Sequence, residues 1–150
     1  MTPLLLQTAQ KLTDTVQSAM DRFATLNTEN WMHKINGEWS KKEILGHLVD
    51  SAANNHIRFI RAQLAEKTYV SFAYEQEFFV SAQNYQGQPI KELTGLWAAY
   101  NMHLGHVIRN VNPTKLHIMC VIGNNEPVRL SYLIKDYLDH LDHHLQQIFG

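Results

Sequence analysis

The sequence predicts an all-α fold, an antiparallel four-helix bundle with one or two long connections. Three observations carry this. Four stretches of about twenty residues each repeat apolar side chains at helical spacing. Helix-start signals (Pro3, the pair Ser40 and Glu43, and Pro89) stand at the front of three of them. The chain has 150 residues, 45% of them hydrophobic and 18% charged, a balance that supports one core and one domain over 1–150.

Residues 3–26 place Leu5, Leu6, Ala9, Leu12, Val16, Ala19, Met20 and Phe23 on one helical face, with Pro3 in the first turn, where a missing N–H costs nothing. The polar, turn-rich segment 27–37 ends this helix. Ser40 and Glu43 then form an S-x-x-E capping box, which predicts a second helix over 40–66. Between 67 and 89 the periodicity weakens, and aromatics crowd in: Tyr69, Phe72, Tyr74, Phe78, Phe79 and Tyr85. A short helix over 74–85 and a structured loop both fit this stretch, and Phe72 to Phe79 suit either a substrate mouth or a cover over the bundle end. Pro89 opens a third long helix to about 110, carrying Leu93, Leu96, Trp97, Tyr100, Leu104 and Val107 on one face, until Asn112-Pro113 stops it. The apolar run 116–122 reads as an extended connector sealing one end of the core, since no partner strand is evident. A turn follows over 123–127, and Ser131 is the expected N-cap of a last helix over 132–149.

Composition removes several function classes. Thirteen basic and fourteen acidic side chains leave a net charge of −1, without the basic surplus that nucleic-acid binding needs. The single cysteine, Cys120, excludes an internal disulfide framework and a multi-cysteine zinc site; in its apolar run it reads as a small buried hydrophobe. No apolar run approaches the roughly 20 residues of a membrane span, and residues 1–10 lack the basic start of a signal peptide. The expectation is a cytoplasmic protein with a small-molecule substrate and neither nucleic acid nor membrane as partner.

Nine histidines remain to be placed. A helix advances about 100° per residue, so on the last helix Ile134, Leu138, Leu141, Leu145 and Ile148 fall within about 80° of arc and form the core stripe. His140 and His144 lie one turn apart on a border of that stripe, beside Leu133 and Tyr137, whereas His143 falls on the far side with Asp136 and Asp139. On the second helix His47 borders the stripe of Ile44, Leu45, Leu48, Ala52 and Phe59, near Ser51, Asn54 and Arg58; His56 borders its other side and is the rival. Two imidazoles at i and i+4 project in parallel and can share one cation, with a third supplied by a facing helix. Spacing alone leaves two readings open: a metal-ligand set, or a histidine cluster that packs the core border.

The segment Trp39-Ser40-Lys41-Lys42-Glu43-Ile44-Leu45-Gly46-His47-Leu48-Val49-Asp50-Ser51 resembles the second-helix motif of the DinB/YfiT-like superfamily of metal-binding four-helix bundles. Tyr137-Leu138-Asp139-His140-Leu141-Asp142-His143-His144-Leu145-Gln146-Gln147-Ile148 is similar to its last-helix motif. Together the two segments cover about a fifth of the chain, in the family's order and separation. The resemblance implies metal-binding histidines at His47, His140 and His144, with zinc or nickel as the metal. It also implies the activities known among relatives: low-molecular-weight-thiol S-transferases, a thiol-dependent isomerase and proposed metal-dependent hydrolases.

Two functional readings follow. In the first, an open three-histidine site activates a thiol or water nucleophile in an S-transferase or hydrolase. No glutamate follows His140 as in an HExxH motif, and Asp50 is expected on the exposed or outer side of the site rather than as a base. Asn54, Ser51, Arg58 and Tyr137 are candidates for positioning substrate. In the second, the chain is a non-catalytic metal-binding or stress-response bundle, dimeric through an exposed helix face, and a fourth ligand from His103 or His117 closes the site.

Overall fold

The computed structural model describes residues 2–150. Four long helices build the core: α1 (Pro3–Phe23), α3 (Lys41–Ala62), α5 (Ile90–Arg109) and α6 (Leu130–Phe149). Two short helices, α2 (Thr28–Met32) and α4 (Gln76–Gln83), lie in the connections. Strands β1 (Thr68–Ser71), β2 (Met119–Ile122) and β3 (Val128–Arg129) form a small sheet in the order β1-β2-β3.

Around the bundle α1 packs on α5, α5 on α3, α3 on α6, and α6 closes on α1, so the first two long helices are diagonal. Direction follows from the contacts. Phe23 meets Trp97 while Gly105 faces Ala9 and Thr13, so α1 and α5 are antiparallel. His47 meets His144 while Phe59 meets Tyr137, so α3 and α6 are antiparallel as well. His56 beside Tyr100, and Gln63 bonded to Asn112, make α3 and α5 parallel neighbours. A parallel pair needs a long crossover, and the 27 residues between Ala62 and Ile90 supply it, carrying β1 and α4.

The caps show which local signals hold. Ser40 stands at the N-cap of α3, its hydroxyl accepting from the Glu43 N–H at 3.1 Å while Glu43 Oε1 accepts from the Ser40 N–H at 3.0 Å. Its hydroxyl also bonds Gln86, tying the crossover to the helix start. Ser40→Ala is expected to cost about 1–2 kcal/mol, lowering Tm by roughly 3–6 °C; a thermal melt unchanged within 1 °C is the contrary result.

Three expectations need correction. The run 116–122 is not a lone connector: Met119–Ile122 pairs in parallel with Thr68–Ser71 and antiparallel with Val128–Arg129. The partner, Thr68-Tyr69-Val70, has the β-branched and aromatic character of a strand but lies about fifty residues earlier in the chain. Ser131 is not the cap of α6, because Arg129 occupies that position and the strand runs straight into the helix. Backbone carbonyls do the capping: the N–H groups of Leu130 and Ser131 donate to the carbonyls of Ile118 and Leu116 at 2.8 and 3.1 Å. Finally, segment 27–37 holds a helical turn, started by a reciprocal Asn27–Asn30 capping box, that seats Trp31 against Phe23.

Candidate metal centre

The site is assembled where α3 and α6 face each other. His47 lies two turns into α3 and is 1% exposed, its ring between that of Trp39 (5.0 Å between centroids) and those of His140 (5.5 Å) and His144 (4.8 Å). His140 and His144, one turn apart on α6, bring their Nε2 atoms to 3.1 Å. One ring nitrogen from each of the three residues lies within 4.8 Å of the other two. Trp39 is thus a wall of this cluster.

The protonation of these rings is set by burial and by one another. His47 is pushed down to about 4, first by burial, then by the neighbouring His144 and His140. His140 and His144 are also lowered, with burial the largest cause for each; for His144 the bond to Gln147 works in the other direction. That bond, His144 Nδ1 to Gln147 Oε1 at 2.8 Å, makes Nδ1 the N–H and leaves the Nε2 lone pair turned toward His140. Both nitrogens of His47 are buried without any hydrogen-bond partner. A buried polar group left in this state costs about 1–3 kcal/mol, so two orphaned nitrogens facing two more imidazoles are unexplained as core packing. A divalent ion shared with His140 and His144 would take one of the two at about 2.0–2.1 Å, since each imidazole offers one neutral nitrogen. All-imidazole donors suit zinc, nickel, copper or iron.

Among the described residues no fourth His, Cys, Asp or Glu joins the group. His103 is elsewhere, 5.2 Å from His56 on the α3–α5 face, and His117 is exposed. His56 is occupied there too, bonding Tyr100 at 3.0 Å, so the rival to His47 takes no part in the cluster. His143 is exposed, as the angular argument predicts. Cys120 is buried, and burial raises its thiol to about 11, which leaves it inert as a nucleophile at neutral pH.

Asp50 departs from expectation: it is buried, not exposed. It does face away from the α6 stripe, but α4 and the turn after it cover that side. Its Oδ1 accepts from Tyr85 Oη at 2.6 Å and from Gln83 Nε2 at 2.8 Å, while Oδ2 has no partner. Burial raises its carboxyl, opposed by those two bonds. Of the positioning candidates, Ser51, Arg58 and Tyr137 line a cavity of about 230 Å³ that begins at His140. Asn54 does not; its amide bonds the Asp50 carbonyl of its own helix. A second groove, about 670 Å³, reaches His144 past Trp39, Ile35 and Ile44. Phe72 and Phe78 project into solvent, leaving Phe79 to pack on Tyr74.

Sequence reasoning did not single out Gln147, Tyr85, Gln83 or Asn101, which takes the Tyr137 hydroxyl. Gln147 had a signal, three residues from His144 on the same helix.

Comparison with known proteins bears on this geometry. A family model described as the DinB superfamily matches residues 11–148. No curated protein matches the sequence. Among solved structures, one from Bacillus subtilis, the YfiT protein, described as a probable metal-dependent hydrolase with an unusual four-helix bundle topology, superposes with a TM-score of 0.78 at 16% identity, covering 96% of this chain and 81% of that one. The mycothiol-dependent maleylpyruvate isomerase superposes with a TM-score of 0.75 at 12% identity. The match covers 98% of this chain and 61% of that enzyme, so this chain spans less than two thirds of its length. At such identities both likenesses show the fold alone.

Proposed function

The chain belongs to the DinB superfamily, and from that premise we propose that it is a metal-dependent enzyme whose divalent ion is held by His47, His140 and His144. The observation that carries this is the convergence of one ring nitrogen from each of His47, His140 and His144 within 4.8 Å, with the His47 ring buried and without a hydrogen-bond partner. Zinc or nickel is the proposed ion, with open positions beside the three imidazoles. Held by these three residues, a divalent ion would supply Lewis-acid chemistry, lowering the pKa of a water or thiol to give the nucleophile of a hydrolase or of a low-molecular-weight-thiol S-transferase. The two solved relatives are described as a probable metal-dependent hydrolase and a thiol-dependent isomerase, which supports chemistry of this class.

The chain's own residues do the remaining work. Gln147 fixes the tautomer of His144. Trp39 and the buried face of α3 keep water from the far side of His47. Ser51 offers a hydroxyl to a substrate entering beside His140, while the Tyr137 hydroxyl donates to Asn101 and holds the cavity wall in place. Asp50 is engaged with Tyr85 and Gln83, so it supports α3 and is not the proton acceptor. Among the described residues, no helix is long and apolar enough to cross a membrane. We propose small-molecule chemistry in the cytoplasm.

The reading is tested by titrating metal-free protein with zinc or nickel at several pH values. At pH 7.5 one ion per chain is expected. Ligation needs neutral rings, and all three are depressed below the usual value of about 6.5. Affinity should therefore hold down to that pH and fall steeply as the pH drops to about 4, where His47 itself is half protonated. No uptake at pH 7.5, or an affinity flat to about pH 4, contradicts the proposal. Metal-free stability moves in the same direction. The unfolded chain takes up its histidine proton at about 6.5 while His47 waits until about 4. Denaturation of the metal-free protein should thus lose on the order of 2–3 kcal/mol between those values and change little from this source outside them. His47→Leu should flatten the slope, leaving the smaller part due to His140 and His144, and a slope unchanged by it would contradict the assignment.

A further inference from the structure

We propose that Arg58 is the carboxylate-binding residue of the substrate cavity, so that the enzyme's substrate is a small molecule bearing a carboxylate at the end remote from the reacting carbon. The inference rests on the metal-dependent reading above and names the substrate class of that site. Arg58 is 8% exposed, and among the described residues no carboxylate lies within ion-pair distance of it. A guanidinium has five N–H donors; one bond is made, from Nη2 to the Phe72 carbonyl at 2.9 Å. The Tyr74 ring, 5.9 Å away, is at the outer edge of cation–π range, a weak contact that does not neutralise the charge as a carboxylate would. Buried charges are otherwise paired, because an uncompensated ion costs several kcal/mol to desolvate. This one lines the cavity that begins at His140, with its remaining donors available to an anion.

The neighbours shape what enters. His47, Ser51, Asn55 and Arg58 follow at intervals of four, four and three, one polar stripe along the buried face of α3. Eleven residues separate its ends, about 16 Å along the axis, and both side chains lean toward the N-terminus, so the guanidinium stands well apart from the His47 ring, with His140 on the wall of its cavity. A molecule anchored at Arg58 therefore presents its other end to His140, the member of the cluster that lines this cavity. The cavity of about 230 Å³ admits only a small ligand. Asp136, exposed on the cavity wall, disfavours a second negative charge, which selects a monoanionic carboxylate over a phosphate.

The test uses the full chain, metal-free and zinc-loaded, with hexanoate, hexanamide and inorganic phosphate as probes followed by NMR shift titration. Hexanoate should bind at least tenfold more tightly than hexanamide or phosphate in both metal states, because Arg58 acts independently of the ion. Arg58→Gln should weaken hexanoate at least tenfold while zinc stoichiometry stays unchanged, and Arg58→Lys, which keeps the charge but not the planar fork, should fall between. Equal binding of hexanoate and hexanamide to the unaltered chain overturns the proposal even if the variants fail to fold. So does phosphate binding as tightly as hexanoate, or hexanoate binding unaffected by Arg58→Gln. Failure to bind zinc while hexanoate still discriminates would instead count against the metal reading and leave the Arg58 assignment standing.

Discussion

Replacing His140 or His144 by alanine is expected to lower zinc and nickel affinity by more than a hundredfold, and His143→Ala to change it by less than about twofold. The contrast is severe because the three residues share one turn and a half of one helix. His140 and His144 bring their Nε2 atoms to 3.1 Å and face His47 across the bundle, while His143 points to solvent. His47→Ala should be as damaging as either α6 change. Gln147→Ala should be milder, about tenfold, since it frees the tautomer of His144 without removing a ligand. Competition against a chromophoric chelator measures all five variants. Equal losses for His140, His143 and His144 would mean a loose surface cluster.

Gly46→Ala should destabilise the fold by about 2–4 kcal/mol, even though alanine is the better helix former by about 1 kcal/mol. A Cβ at position 46 would meet the Tyr85 ring at 2.1 Å from Cδ2, so the ring must leave. Its hydroxyl would then abandon Asp50 Oδ1, a buried carboxylate whose other oxygen already lacks a partner. Clash and lost bond together outweigh the propensity gain. Tyr85→Ala removes the ring, and in that background Gly46→Ala should cost nothing further or stabilise slightly. Chemical denaturation of the double-mutant cycle checks this; additive losses would show that the glycine is needed for another reason. The glycine next to His47 thus lets the crossover pack onto α3 behind the site.

The parts of the molecule that the sequence makes legible are those set by local rules. Ser40 and Glu43 cap α3 as their spacing requires, and the helical angle sorts His140 and His144 from His143 without reference to any fold. What escapes is set by the path of the chain. Asp50 is assigned correctly to the side away from α6, yet that side is closed by residues 33 and 35 positions later, Gln83 and Tyr85, which no periodicity connects to it. The start of α6 escapes for a similar reason: carbonyls of Leu116 and Ile118 take the role of the expected Ser131 side chain. Segment 116–122 reads as a connector because its partner strand lies on the far side of a whole helix, at Thr68–Ser71. Arg58 was visible as a polar residue near His47, but not that it is buried without a carboxylate.

X-ray absorption at the metal edge of the zinc-loaded chain tests the central claim most directly. Three imidazole ligands at about 2.0–2.1 Å, recognised by the multiple scattering of their rings and completed by one or two oxygen ligands, are the expected coordination. The imidazole count should fall to two in His47→Ala if any zinc is retained. A shell of oxygen alone, or a spectrum unchanged by His47→Ala, would show that the buried imidazole of α3 binds nothing.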